Sequence, residues 1–264
     1  MRVYEKNVAV MVVSFDGYAD VWDTFAECIN KYWKDRVYNT YLITNNMLPN
    51  YEDIKVIKTG EEVSWSARMR TALQYIKEEY IILLLEDYLV DKVVDNDAVK
   101  EAVEFAKEKG TDYLRIAPIP KLRGASGYAT IIDKMQLYGV NLQASIWKKE
   151  YLRKLLGNDN FSAWEFEARQ KFGSDERIDG MCYASNRYVI HYLNGIIQGK
   201  WNIKTLEQLK NIGISVHTGN RNVMKKSELI REDIRNFFSH AIPPQIIRMI
   251  KPIAKKMGLK FVTE

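Results

Sequence analysis

Two hydrophobic rhythms alternate along the first part of the chain. Asn7-Val8-Ala9-Val10-Met11-Val12-Val13-Ser14 is an almost unbroken apolar run rich in β-branched residues. This pattern predicts a central strand covered on both faces. From about Asp20 the spacing changes, with Val21, Trp22, Phe25, Ile29 and Tyr32 falling on one helical face. Tyr38 to Thr44 and Ile54 to Ile57 return to strand character. Ser64 then stands as the N-cap of a helix that turns Trp65, Met69, Ala72, Leu73 and Ile76 inward. Tyr80 to Leu85 is a wholly apolar strand stopped by Glu86-Asp87. Asp95 opens a helix that runs to Gly110, its expected C-cap, and Tyr113 to Ala117 is the next strand.

Strand and helix in turn predict an α/β fold, a mostly parallel sheet with helices on both faces. Ligands of such sheets bind beyond the carboxyl ends of the strands. The polar clusters at strand ends, Ser14-Phe15-Asp16-Gly17-Tyr18 and Glu86-Asp87-Tyr88, therefore come first as site candidates.

Composition narrows the class. With 47% hydrophobic and 28% charged residues among 264, the chain is globular rather than disordered. Its 16 Tyr and 6 Trp suit stacking on sugars or bases, or simply core filling. Two cysteines, Cys28 and Cys182, lack metal-ligand spacing and make no disulfide framework, so a reducing, cytosolic setting is expected. Charged Arg2, Glu5 and Lys6 leave no room for a signal peptide, and no apolar run reaches the roughly 18–20 residues of a membrane span. A net charge of +5 suits nucleic acid, an anionic membrane or a phosphorylated ligand alike.

Glu86-Asp87, at the open end of a buried strand, offers oxygen ligands to a divalent cation, Mn or Mg, that would neutralise a diphosphate. The bland alternative is a strand ending in solvated acids. Of the two, Asp87 is the expected ligand, because side chains alternate along an extended chain.

These motifs together resemble a known family. A first strand ending in Ser14-Phe15-Asp16-Gly17-Tyr18, a helix with Trp65-Ser66-Ala67-Arg68-Met69, and a strand ending in Leu85-Glu86-Asp87-Tyr88 occur in that order. The arrangement is similar to the nucleotide-binding half of GT-A glycosyltransferases, particularly the small transferases of bacterial capsule and lipopolysaccharide synthesis. The resemblance covers residues 7–201, with Glu-Asp-Tyr where the family usually has Asp-x-Asp. It implies a GT-A, Rossmann-like fold in a single domain over residues 1–241, with a nucleotide-binding half (1–120) and an acceptor half (121–241). It also implies that Ser14, Asp16 and Tyr18 contact the base and ribose of a nucleotide-sugar donor. Arg68, one turn after Ser64, would reach a phosphate or donor hydroxyl; otherwise it lies on a solvated face beside Arg70.

The second half supplies the acceptor side. Phe161-Ser162-Ala163-Trp164-Glu165-Phe166-Glu167 resembles the family's tryptophan-acid motif, in which a carboxylate takes the proton of the attacking hydroxyl. Ser162 and Glu165 also spell a capping box. That leaves Glu167 as the expected base, with Glu165 second and Trp164 either a sugar platform or a core anchor. By the same resemblance, Gln143 in Asn141-Leu142-Gln143 meets donor or acceptor hydroxyls. Lys200 in Gly195-Ile196-Ile197-Gln198-Gly199-Lys200 offers charge to the diphosphate, and the plain reading of both segments is turns and packing. His217 is an outside candidate to complete a metal site.

Residues 242–264 read as a basic amphipathic helix, with isoleucines on one side and Arg248, Lys251, Lys255 and Lys256 on the other, interrupted by Pro252. It either docks on its own domain or lies on an anionic leaflet. No nucleic-acid motif accompanies the charge. The expectation is a glycosyltransferase at the inner face of the cell membrane, acting on a glycan or lipid-linked glycan acceptor. A sugar-phosphate nucleotidyltransferase would carry a glycine- and arginine-rich loop after its first strand. Ser14 to Tyr18 has one Gly and no Arg. A non-catalytic glycan-binding protein would need neither the strand-end acids nor Glu167.

Overall fold

The computed structural model describes residues 5–229, apart from 62, 123, 125, 134–138 and 171–178. The C-terminal helix expected over 242–264 lies outside the described residues.

Strand β1 (Val8–Val13) is buried along its whole length, as its unbroken apolar pattern requires. Parallel strands β2 (Asn39–Thr44) and β4 (Tyr80–Leu85) flank it, and β3 (Lys55–Lys58) adds parallel to β2. Helices α1 (Ala19–Tyr32), α2 (Trp65–Tyr75) and α3 (Asn96–Glu108) make the connections. After β4, the two-residue turn Glu86-Asp87 leads into the short strand β5 (Tyr88–Val90).

The sheet then changes character. The strand after α3, β6 (Tyr113–Arg115), does not join β4 directly, because β8 (Ser145–Lys148) lies between them, antiparallel to both. With β9 (Cys182–Ser185) parallel to β6 and β7 (Ala129–Ile131) at the edge, eight strands run in the order β3-β2-β1-β4-β8-β6-β9-β7. Residues from both sides of position 120 thus share one sheet, parallel in its first half and mixed in its second.

Two cores follow from the period of two along β1. Val8, Val10 and Val12 pack with Trp22, Phe25 and Ile29 of α1 and with Val99 and Val103 of α3. Ala9, Met11 and Val13 pack on the other face with Trp65, Met69 and Leu73 of α2. That face also takes Leu152 and Leu155 of α4 (Lys149–Leu156) and Phe166 of α5 (Ala163–Arg169).

The caps form where the sequence places them. Ser64 accepts from the Ala67 N–H, and Asp95 from those of Asp97 and Ala98. Gly110, with φ +60°, follows the end of α3 in a conformation that costs glycine little. Three short strands, β10 (Tyr192–Asn194), β11 (Ile196–Ile197) and β12 (Lys200–Trp201), and helix α6 (Ile203–Asn211) close the described chain. β10 pairs antiparallel with β5, which brings the later chain against the end of β4.

Candidate functional site

The carboxyl ends of β1, β2 and β4 carry the polar residues singled out above. Ser14 is buried, and its hydroxyl accepts from the indole N–H of Trp22 at 2.7 Å, so it anchors α1. Asp16 ties two loops together. Its carboxylate accepts from the backbone N–H groups of Asn45 (2.8 Å), Asn46 (2.9 Å) and Met47 (3.1 Å), and its own N–H donates to Asn45 Oδ1. These bonds set the shape of the rim between β1 and β2.

Tyr18 sits in a short 3-10 turn, Asp16–Tyr18, against the ring of Phe15. The Arg221 guanidinium lies 4.3 Å from the Tyr18 ring centroid. Burial, and then the Glu86 charge, raise the pKa of the Tyr18 hydroxyl. Arg68 is buried rather than solvated. Its guanidinium stacks 4.7 Å from the Phe15 ring, and its Nη1 donates to Val63 O. Arg70 is the outward arginine of α2, bonded to Asp159 O and Asn160 Oδ1.

The strand-end acids depart from the alternation expected of them. Glu86 and Asp87 occupy a turn between β4 and β5, so strand periodicity no longer holds there, and the Arg221 charge acts on both. Glu86, only 8% exposed, lies within the fields of Arg68 and Arg221. Burial and the neighbouring Asp87 raise its pKa well above the usual carboxylate range. Burial also lifts Asp87 to about 6, against the pull of the Ile196 N–H and of Arg221. Asp87 Oδ2 accepts that N–H at 3.2 Å.

The glycines of the 195–199 segment serve the backbone. A Cβ at Gly195 would stand 3.0 Å from Leu89 and 3.2 Å from Asp87 O, so a side chain there would push β5 away. Gln198 (φ +50°) and Gly199 (φ +73°) make the two-residue turn between β11 and β12. Lys200 pairs with Glu228 at 2.7 Å.

Across the site, α5 presents the tryptophan-acid segment. The capping box forms: Glu165 accepts from the Ser162 N–H (2.6 Å) and hydroxyl (2.8 Å), and these bonds lower its pKa. Trp164 is 61% exposed, which corrects its reading as a core anchor, because one turn of α5 buries Phe166 instead. Glu167 points the other way from Glu165. Its Oε1 accepts from the Leu142 N–H at 2.9 Å, and burial raises its pKa while that bond lowers it.

Tyr88 links the acids to Glu167. Its hydroxyl donates to Leu142 O at 3.1 Å, and its ring stacks on Tyr192 at 4.4 Å. The Tyr192 hydroxyl donates in turn to Gln143 Oε1 at 2.5 Å. The Tyr18, Arg68, Glu86, Asp87, Gln143 and Glu167 positions thus form one connected neighbourhood. Glu165, Lys200 and the exposed His217 point their groups elsewhere.

Sequence reasoning missed Arg221, Asp20 and Tyr192, and gave Tyr88 of the Glu86-Asp87-Tyr88 cluster no role of its own. For Arg221 the signal was a cation closing a turn-rich segment, Thr218-Gly219-Asn220; for the tyrosines nothing local distinguishes site from core.

No family model and no curated protein matches the chain by sequence. Among solved structures, it is similar to the mannosyltransferase PcManGT from Pyrobaculum calidifontis in complex with GDP-Man and Mn2+. The match has a TM-score of 0.50 and 12% identity, over 74% of this chain and 59% of that one. The fold is GT-A. Looser likenesses extend to S. aureus TarS, with TM-score 0.48 and 12% identity over 88% of this chain and 44% of that one. A cytidylyltransferase from Leptospira borgpetersenii serovar Hardjo-bovis reaches TM-score 0.42 and 10% identity over 84% and 100%. The chain therefore spans about half the length of the first two relatives. In this GT-A fold the acids Glu86 and Asp87 stand at the carboxyl end of the strand next to β1, where α/β sheets take their ligands.

Among the described residues, no three His, Cys, Asp or Glu side chains gather to hold a metal by themselves. A Mg or Mn ion needs only one or two carboxylates when phosphate oxygens supply further ligands. Glu86 and Asp87 fit that role, because two adjacent buried carboxylates raise each other's energy and a cation relieves it. Among the described residues, no helix is long and apolar enough to cross a membrane.

Proposed function

We propose that this chain is a glycosyltransferase that moves a sugar from a nucleotide-sugar donor to a glycan or lipid-linked acceptor of a bacterial surface polysaccharide, capsule or lipopolysaccharide. The observation that carries the reading is the placement of Glu167 on the far side of Tyr88 from the Glu86-Asp87 pair. That arrangement supports a base and a diphosphate-binding end within one site.

The donor nucleotide lies along the rim made by Asp16 and Tyr18, which buried Ser14 supports through Trp22, with Arg68 facing its phosphates. Glu86 and Asp87 would hold a divalent cation. When bound, that cation offsets the negative charge that builds on the departing diphosphate. Glu167 keeps Oε1 on the Leu142 N–H, which leaves Oε2 to take the proton of the acceptor hydroxyl. The acceptor oxygen then bonds to the anomeric carbon, the bond to the diphosphate oxygen breaks, and the electron pair leaves with the nucleotide diphosphate. Exposed Trp164, on the same helix as the base, is the platform for the acceptor sugar, and Gln143 contacts its hydroxyls.

The basic amphipathic pattern of 242–264 supports work at the inner face of the membrane. The nucleotidyltransferase alternative has no support from the Ser14 to Tyr18 loop, which lacks its arginine.

Thermal stabilisation by a panel of nucleotide sugars, with and without manganese, tests the donor assignment, since a ligand of the folded state raises Tm. Asp87→Ala is expected to keep the fold and abolish manganese-dependent donor binding, with Glu86→Ala milder. Unchanged donor affinity of Asp87→Ala in manganese would remove the metal assignment. No stabilisation by any nucleotide sugar would remove the function.

A further inference from the structure

Arg115 ends strand β6 within an otherwise apolar run, Tyr113-Leu114-Arg115-Ile116-Ala117, and is fully buried. A guanidinium in that position is tolerated only when its donors are satisfied. Here they go to backbone carbonyls. Nε donates to Ala117 O (3.1 Å), Nη1 to Gly139 O (3.0 Å) and Nη2 to Pro120 O (2.6 Å). Ala117 and Pro120 lie on the chain leaving β6, and Gly139 lies on the chain returning to β8. One planar group therefore closes the base of the whole connection.

What the returning arm carries gives this closure its meaning. Two residues before Arg115 on the same strand face, the Tyr113 hydroxyl donates to Asn141 O at 3.1 Å and accepts from Asn141 N at 3.3 Å. The next residue, Leu142, donates its N–H to Glu167 Oε1 and accepts from the Tyr88 hydroxyl. Gln143 follows, bonded to Tyr192. The carbonyl of Gly139 is thus three residues from the N–H that orients the carboxylate. Arg115 is one of the groups, with the Tyr113 and Tyr88 hydroxyls, that hold the returning arm.

We propose that Arg115 is a positioning residue for Glu167: by clamping Gly139 to Ala117 and Pro120 it sets the Leu142 N–H on which the carboxylate rests. The proposal rests on the reading of Glu167 as the base. The Arg115 guanidinium bonds to the backbone carbonyls of Ala117, Gly139 and Pro120, so its effect on turnover is expected to pass through Glu167.

The test is a double-mutant cycle on the full chain. Arg115→Lys keeps the charge but cannot reach three carbonyls in one plane. It is expected to lower kcat about tenfold, as loss of a hydrogen bond to a charged group does, with the donor KM nearly unchanged. In a Glu167→Gln background the same substitution should cost little further, because residues acting through one group are not additive. A purely architectural arginine would instead give losses that multiply, and that result overturns the proposal, as does an unchanged kcat. Should Arg115→Lys fail to fold, Arg115→Gln, whose amide keeps a donor for one carbonyl without burying a charge, is read the same way. A loss of kcat that vanishes in Glu167→Gln supports the proposal, and no loss or a multiplying one overturns it. If Glu167→Gln alone turns over normally, the base assignment falls and this proposal with it. A slow Glu167→Gln enzyme with multiplying losses removes only the role of Arg115.

Discussion

Arg221 grips Asp20 through two parallel hydrogen bonds, Nε to Oδ2 and Nη2 to Oδ1, each 2.7 Å, although 201 residues separate the pair. The same guanidinium donates to Gly17 O at 3.0 Å and Gly199 O at 3.2 Å and covers the face of Tyr18. The loop after β1 is thereby clasped to the late segment of the chain, beside the strand-end acids. Bidentate geometry makes such a clasp specific to arginine.

Arg221→Ala is therefore expected to cost about 2 kcal/mol, the order of a charge-assisted hydrogen-bonded contact. In a domain of this size that corresponds to a fall in Tm of about 4–8 °C. Donor affinity should fall as well, because Tyr18 loses the group that holds its ring. Arg221→Lys should recover only a minor part of both. Melting curves and a donor titration check this, and an unaltered Tm with unaltered affinity would contradict it.

Glu167→Gln is expected to preserve donor binding and to lower transfer by about 10²–10⁴-fold, the usual contribution of a general base. The pH dependence has a definite sign. Burial raises the Glu167 pKa above its ordinary 4.5, although the Leu142 N–H pulls it back. A base must be deprotonated, so protonation of Glu167 should lower kcat/KM on the acid side at a pH above 4.5, and that part of the limb should vanish in Glu167→Gln, leaving the part due to Glu86 and Asp87. Stability runs the opposite way. A carboxyl with a raised folded pKa stabilises most below its unfolded pKa, and that contribution is lost as pH rises through the folded value. At neutral pH the Gln variant should accordingly be at least as stable as the parent, since its amide oxygen still accepts from Leu142.

Trp164→Ala separates surface from core. With Trp164 61% exposed, its loss should change stability by no more than about 0.5 kcal/mol, the usual range of surface substitutions. The KM for a glycan acceptor should rise while donor affinity stays the same. A fall in Tm comparable with a core deletion would show that the ring packs in the domain.

Deletion of 242–264 tests the membrane assignment. That stretch contains five basic residues, Arg248, Lys251, Lys255, Lys256 and Lys260, and one acid, Glu264. Each basic group near an anionic leaflet contributes about 1 kcal/mol. The truncated protein should leave anionic vesicles, and binding of the full chain should weaken with salt, while transfer to a short soluble acceptor continues. Loss of the melting transition on truncation would mean that the tail packs on its own domain instead.

Much of the frame was readable from the chain alone. The apolar run of β1, the stripe of α1 and the caps at Ser64, Asp95 and Ser162 all appear where the pattern puts them. Each depends on groups a few residues apart, so propensity and periodicity suffice to specify it. The capping box shows the same limit from the other side: it accounted for Glu165 by a bond to Ser162, three residues away, and left the partner of Glu167 unnamed.

The site itself was decided at long range. Strand alternation singled out Asp87, but the chain turns at Glu86-Asp87 and the Arg221 charge reaches both. Lys200 reads as a phosphate ligand until Glu228 is placed beside it. Nothing in the run Tyr113 to Ala117 gives Arg115 a role until Gly139 and Pro120 close around it. Local sequence determined which segments become strand or helix and which face each buries, because those choices are settled by neighbouring residues along the chain. Only the tertiary structure decided which charges meet, because those pairings depend on where distant segments return to the sheet and how little water they leave there.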